Sequence, residues 1–130
     1  MSHSHSSANY LYLLAAFIII VLLVVVASRG AKPSRYDSFA QCLTDNGVKM
    51  FGAWWCPHCA NQKKEFEGAF DKINYTECSE PGSQAMNQTC KDAGIEGYPT
   101  WEFKDASRLS GEQTLETLGQ KADCSLPTNP

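Results

Sequence analysis

The sequence predicts an α/β domain, a mixed sheet flanked by helices, preceded by one N-terminal transmembrane helix. Three observations predict it. An uncharged apolar run occupies Tyr10 to Ala27. Beyond it, short β-type runs alternate with segments of helical apolar spacing. Cys56 and Cys59, two residues apart, sit where one such strand gives way to a helix. The expected divisions are a polar tail at 1–9, the span at 10–27, a linker at 28–35, the folded domain at 36–124 and a tail at 125–130.

The first nine residues are short, polar and Ser/His-rich, and His3 and His5 are expected to be part of a tail rather than a metal site. The run that follows has no charge and no helix breaker. Its roughly 18 residues at ~1.5 Å each reach about 27 Å, close to the hydrocarbon thickness of a bilayer. Tyr10 and Tyr12 suit one interface, and Arg29, Lys32 and Arg35 mark the other end. Val25-Val26-Ala27 would pass as a cleavage site, but the run lacks a basic n-region and exceeds a typical signal h-region. An uncleaved anchor is expected.

Orientation sets two rules against each other. Basic residues after the span would keep the domain in the cytoplasm by the positive-inside rule. Six cysteines in so short a domain argue for an oxidising, extracytoplasmic compartment. Charge rules weaken when a whole domain follows the span, so a single-pass membrane protein with its domain outside is expected. The sequons at Asn74 and Asn87 are too common by chance to decide. From Tyr36 onward there are 8 Lys/Arg against 14 Asp/Glu, an acidic balance with no basic patch for nucleic acid.

Within the domain, Asp37 to about Asn46 carries Phe39, Ala40 and Leu43 at helical spacing and ends at Asn46-Gly47. Val48–Trp54 reads as a buried strand and Cys56–Phe70 as a helix, with Phe66 and Phe70 an i, i+4 core pair. Ile73–Glu77 is a brief strand. Pro81-Gly82 turns into a helix from about Ser83 to Ala93, stopped by Gly94. Thr100–Phe103 and Ser107–Ser110 form a hairpin, and Glu112–Gln120 a last helix with Leu115 and Leu118 inward. Helices between strands argue for parallel pairing on one side of the sheet, with the hairpin supplying an antiparallel edge. Phe39, Phe51, Tyr75, Trp101 and Phe103 are expected in the core; Trp54 and Trp55 divide between packing inward and flanking the site.

The chemistry is expected at Cys56-Pro57-His58-Cys59. Cys56 falls at or beside the helix N-cap, where free N–H groups and the positive end of the helix dipole favour a thiolate. Pro57 occupies the first turn, where its missing N–H costs nothing. His58, when protonated, adds positive charge near the Cys56 sulfur. A first cysteine that attacks a disulfide and a second that resolves the mixed disulfide make a redox pair. A zinc half-site would need a second such pair, and there is one Cys-x-x-Cys here. An inert structural bridge is the other bland reading. Cys42, Cys78, Cys90 and Cys124 allow three pairings. A Cys78–Cys90 bridge would staple a local loop, and Cys42–Cys124 would then tie the first helix to the tail; a structural role is expected for all four.

From about Phe39 to Gln120 the chain resembles a thioredoxin-fold domain, on Trp55-Cys56-Pro57-His58-Cys59 and on Gly97-Tyr98-Pro99-Thr100. The resemblance implies a cis Pro99 opposite the cysteine pair, presenting backbone to a client peptide, with Tyr98 and Trp55 beside it. The stretch Lys49–Cys59, with Asn61-Gln62-Lys63-Lys64, Glu77-Cys78, Cys90 and Tyr98–Glu102, is similar to the thioredoxin-like domain attached to bacterial vitamin K epoxide reductase homologues. That likeness implies a domain passing disulfides between a membrane quinone reductase and exported client proteins; no cofactor or metal is expected. One span in place of a multi-span reductase domain is a departure, and implies a tethered domain that meets its reductase in the bilayer plane. Pro57-His58 is similar to the dipeptide of strongly oxidising disulfide donors. A second departure is Met50, where many thioredoxin-fold enzymes place an acidic residue serving the second cysteine. The expected function is therefore a membrane-anchored thiol–disulfide oxidoreductase acting as an oxidant. A reductase of the same fold and a non-catalytic, disulfide-stapled adaptor are the alternatives.

Overall fold

The computed structural model describes residues 5–27 and 33–128. Contacts divide the chain into residues 1–32 and 33–130. In the first unit one helix, α1 (His5–Ala27), carries the apolar run. Asn9–Val26 has a mean hydropathy of 2.8, long and apolar enough to cross a membrane; a signal sequence meets the same test. Arg29 and Lys32 of the expected basic cluster, most of the linker and both chain ends lie outside the described residues. Arg35 belongs to the second unit, where its guanidinium pairs with Glu67 at 3.3 Å.

The second unit runs α2 (Asp37–Asp45), β1 (Lys49–Gly52), α3 (Pro57–Glu65), a 3-10 segment Glu67–Lys72, β2 (Asn74–Glu77), α4 (Gln88–Asp92), β3 (Thr100–Glu102), β4 (Arg108–Ser110) and α5 (Leu115–Ala122). The sheet order is β2-β1-β3-β4. β1 and β2 are parallel, while β3 runs antiparallel to β1 and to β4. A mixed sheet of this order, with helices packed on it, is a thioredoxin-like fold preceded by one apolar helix.

Alternation along β1 explains why both faces are covered. Met50 and its cross-strand partner Trp101 point into the larger cluster with Phe39 and Leu43 of α2, Phe66 after α3, and Leu118 of α5. Phe51 points the other way, into a smaller cluster with Cys78, Cys90 and Ile95. Phe66 is fully buried and ties the larger cluster together, lying 6.1 Å from the Phe39 ring and 5.9 Å from that of Trp101.

Two expectations are corrected. The helix after the cysteine pair stops at Glu65 rather than Phe70, because Glu67 turns to φ +52° and the chain tightens into a 3-10 segment. Phe66 and Phe70 still meet, at 5.9 Å, but across that break. The helix expected from Ser83 shrinks to Gln88–Asp92. Asn87 decides its start: its side chain accepts from Cys90 N–H, and its own N–H and Nδ2 donate to the carbonyls of Cys78 and Glu77. Residues 79–86 are consequently a loop closed by a Ser79–Met86 bridge. The Asn87 amide of the second sequon is thereby used inside the fold. Leu126, beyond Cys124, packs on the larger cluster.

Candidate functional site

The site begins where β1 runs out. Gly52 ends the strand, Cys56 N–H turns back to the Ala53 carbonyl at 3.0 Å, and Cys56 caps α3 in an extended conformation. Pro57 is the first helical residue. The Cys56 sulfur accepts the Cys59 N–H at 3.4 Å, so one of the unpaired donors of the helix start points at it. The two sulfurs share one helical turn, with Cys56 5 % exposed and Cys59 1 %. The first is the more exposed of the two. Both are free thiols, whereas Cys42 is bridged to Cys124 and Cys78 to Cys90, with Cα separations of 5.9 and 5.5 Å.

Facing the pair is the Tyr98–Pro99 peptide, which is cis and leads into β3. The Cys56 thiol reaches the Tyr98 carbonyl at 3.8 Å. Trp55 lies edge-on to the Tyr98 ring at 6.0 Å and donates its indole N–H to Ser79 at 2.8 Å. Cys56, Trp55, Tyr98 and Pro99 are thus brought together from two segments some forty positions apart. Trp54 turns outward, 55 % exposed, and with Pro81 and Gly82 lines a largely apolar groove beside the site.

His58, next after Pro57 on α3, reaches the loop before α5. Its Nδ1 lies 2.5 Å from Glu112 Oε1, which also accepts from Asn61 at 3.4 Å. The loop carrying Glu112 is held by Gln62, one turn along α3 and fully buried. Gln62 accepts from Gln113 N–H and returns a bond to the Gln113 carbonyl. Its Oε1 also accepts the Trp101 indole N–H at 3.2 Å.

Behind Cys59 stands a group that residue patterning does not reveal. A Cβ on Gly52 would lie 3.0 Å from Cys59 Sγ and 2.9 and 3.1 Å from Tyr75 Cε2 and Oη, so the sulfur and the phenol flank one face of that glycine. Tyr75 donates to Glu77 Oε2 at 2.8 Å, and Glu77 Oε1 accepts the N–H groups of Trp54 and Ser79. Lys63 Nζ sits 3.8 Å from the centre of the Tyr75 ring. The Tyr98 hydroxyl is buried and bonds to no protein group. Burial pushes the Cys59 thiol up to about 12; the Ala53 backbone bond opposes this, the neighbouring Cys56 adds to it, and Lys63 draws it down. Burial, then the bond to Glu77, also pushes the Tyr75 hydroxyl up, and burial followed by the charges of Glu77, Cys59 and Cys56 does the same to Tyr98. Of these residues only Gly52 adjoins the cysteine motif in sequence; Tyr75 and Glu77 arrive by strand pairing, which leaves no local signal.

No family model matches the chain. Over 93 residues it is 41 % identical to a protein of Arabidopsis thaliana named thiol-disulfide oxidoreductase LTO1, a match covering 68 % of this chain and 24 % of that one. It is 31 % identical over 103 residues to DnaJ homolog subfamily C member 10 of Pongo abelii, covering 76 % of this chain and 13 % of the relative. The human protein of that name is 36 % identical over 80 residues, covering 58 % and 10 %. The chain therefore spans a quarter or less of the length of these relatives.

Proposed function

We propose that the chain is a membrane-anchored thiol–disulfide oxidoreductase in which Cys56 exchanges disulfides with exported proteins, while Cys59 leaves when a client attacks Cys56 and resolves the mixed disulfide in the reverse direction. One observation carries the reading: Cys56 and Cys59 are the two unbridged cysteines, one turn apart at a helix start, facing the cis Tyr98–Pro99 peptide. The likeness to a protein named for the same chemistry supports it. Acting as a donor, the oxidised pair is attacked at Cys56 by a client thiolate. The Cys56–Cys59 bond breaks, Cys59 leaves as a thiolate and takes a proton, and a second client thiolate then attacks the client sulfur of the mixed disulfide. The client gains a disulfide and the pair is left as a dithiol, two electrons having passed to it.

Direction, place and partner complete the proposal. Pro57-His58 between the cysteines favours an oxidant. Two bridges outside the redox pair favour an extracytoplasmic domain, and α1 favours a tether in the membrane. The reduced pair is then reoxidised by a membrane quinone reductase of the vitamin K epoxide reductase type. The test is the Cys56/Cys59 reduction potential of the full chain in detergent, equilibrated against glutathione. A value towards about −120 mV is expected; one near about −270 mV would make the protein a reductase, and a pair that never titrates would remove both enzyme readings.

A further inference from the structure

Cys59 poses a chemical problem that its own helix does not solve. To close the pair it must lose a proton, yet it is 1 % exposed and burial holds its thiol far above neutrality. The position one strand-register step from Gly52 on β1, Met50, is an apolar core residue and takes no proton. The neighbouring strand differs. Parallel pairing sets Tyr75 beside Met50 and Glu77 beside Gly52, and strand alternation puts both side chains on one face. Because Gly52 has no side chain, Cys59 Sγ and Tyr75 Oη both come within about 3 Å of the same point above it. The sulfur and the hydroxyl are therefore at most about 6 Å apart, a gap that one water can bridge. From Tyr75 the path continues at 2.8 Å to the Glu77 carboxylate.

We infer that Tyr75 and Glu77 are the proton relay of Cys59, with Tyr75 passing the proton and Glu77 holding it. This rests on the proposed disulfide exchange. In the resolving step Cys59 sulfur bonds to Cys56 sulfur and the Cys56–client bond breaks, releasing client thiolate. The Cys59 proton goes to Tyr75 Oη as the Tyr75 proton goes to Glu77, which then releases it to solvent. The reverse step returns a proton to Cys59 by the same route. The titratable and charged groups facing Cys59 are Cys56 at the helix cap, Lys63 on α3, Tyr75 on β2 and Tyr98 before β3, with Glu77 reached through Tyr75. Lys63 lowers the cost of the thiolate as it forms.

The experiment separates the two steps. The full chain in detergent, with only the Cys56/Cys59 pair reduced, is mixed with glutathione disulfide, acid-quenched and read by mass from pH 6 to 9. Attack appears as the Cys56–glutathione adduct and resolution as its loss. Y75F removes the hydroxyl alone and E77Q the charge alone. Both are expected to attack within about twofold of wild type and to resolve at least about tenfold more slowly at pH 7, the gap closing as rising pH supplies hydroxide. Resolution by Y75F at the wild-type rate, or attack and resolution falling together without pH dependence, would overturn the relay. Wild type that forms neither the adduct nor the Cys56–Cys59 disulfide would instead overturn the oxidoreductase reading. Should E77Q unfold through loss of its bonds to Trp54 and Ser79, Y75F decides alone.

Discussion

Gln62 and Gln113 hold each other by two hydrogen bonds, the Gln113 N–H at 2.7 Å and its carbonyl at 3.0 Å, with the Gln62 side chain wholly out of water. The same amide oxygen takes the Trp101 indole, so one polar side chain joins α3, β3 and the loop before α5. It fixes the helix that carries both thiols.

Replacing Gln62 with Leu keeps the volume but leaves the Gln113 N–H and the Trp101 indole N–H without their acceptor in the core. Each unsatisfied donor costs about 1–3 kcal/mol. Urea denaturation of Q62L is therefore expected to show a loss of about 2–6 kcal/mol, with the m-value unchanged. A loss under about 0.5 kcal/mol would mean that the clamp contributes little.

Gly52 backs directly onto Cys59 and Tyr75. An alanine there must displace the sulfur or the phenol, and overpacking of this kind costs about 1–3 kcal/mol. G52A is expected to lose that much stability and to change the glutathione equilibrium of the pair, because the displaced atoms belong to it. Unaltered equilibrium with altered stability would place the strain on Tyr75 alone.

The Cys59 shift fixes a pH signature of the reduced pair. The folded thiol, at about 12, holds its proton more tightly than an unfolded one near 9. Its contribution to stability is therefore complete below about pH 9 and is lost as pH rises towards 12. Above pH 9 the protein with a reduced pair should lose stability faster than the oxidised protein, which has no thiol to titrate there, and C59S should lack the difference. At pH 7 to 9, iodoacetamide should label Cys56 and spare Cys59 until denaturant is added. Equal labelling of both in the native protein would contradict the burial of Cys59.

The two bridges should differ in weight. Cys42–Cys124 closes a separation of 82 residues and Cys78–Cys90 one of 12. In the chain-entropy model these are worth about 4.5 and about 3 kcal/mol. The double variant C42S/C124S is expected to unfold at lower urea than C78S/C90S. The reverse order would show that the short bridge works mainly by holding the 79–86 loop against Trp55.

The sequence by itself determined the N-terminal apolar helix, the order of helices and strands, and the placing of Cys56 and Cys59 at a strand-to-helix turn. Each of these is encoded by neighbours: apolar residues in unbroken series, Pro57 in a first turn, two cysteines one turn apart. Where local cues competed they misled. Residues 83–87 carry no helix breaker, but Asn87 spends its amide on Cys78, Cys90 and Glu77 and delays the helix to Gln88. The continuation past Glu65 failed likewise, where Glu67 adopts a left-handed φ and Phe66 turns wholly into the core. Only the tertiary structure decided which cysteines pair, that Glu112 meets His58, and that Tyr75 and Glu77 stand behind Cys59. Those relations depend on strand register and on contacts between distant segments. Spacing along a chain carries periodicity within an element, but the side chains of separate elements become neighbours only when burial of a shared core packs those elements together.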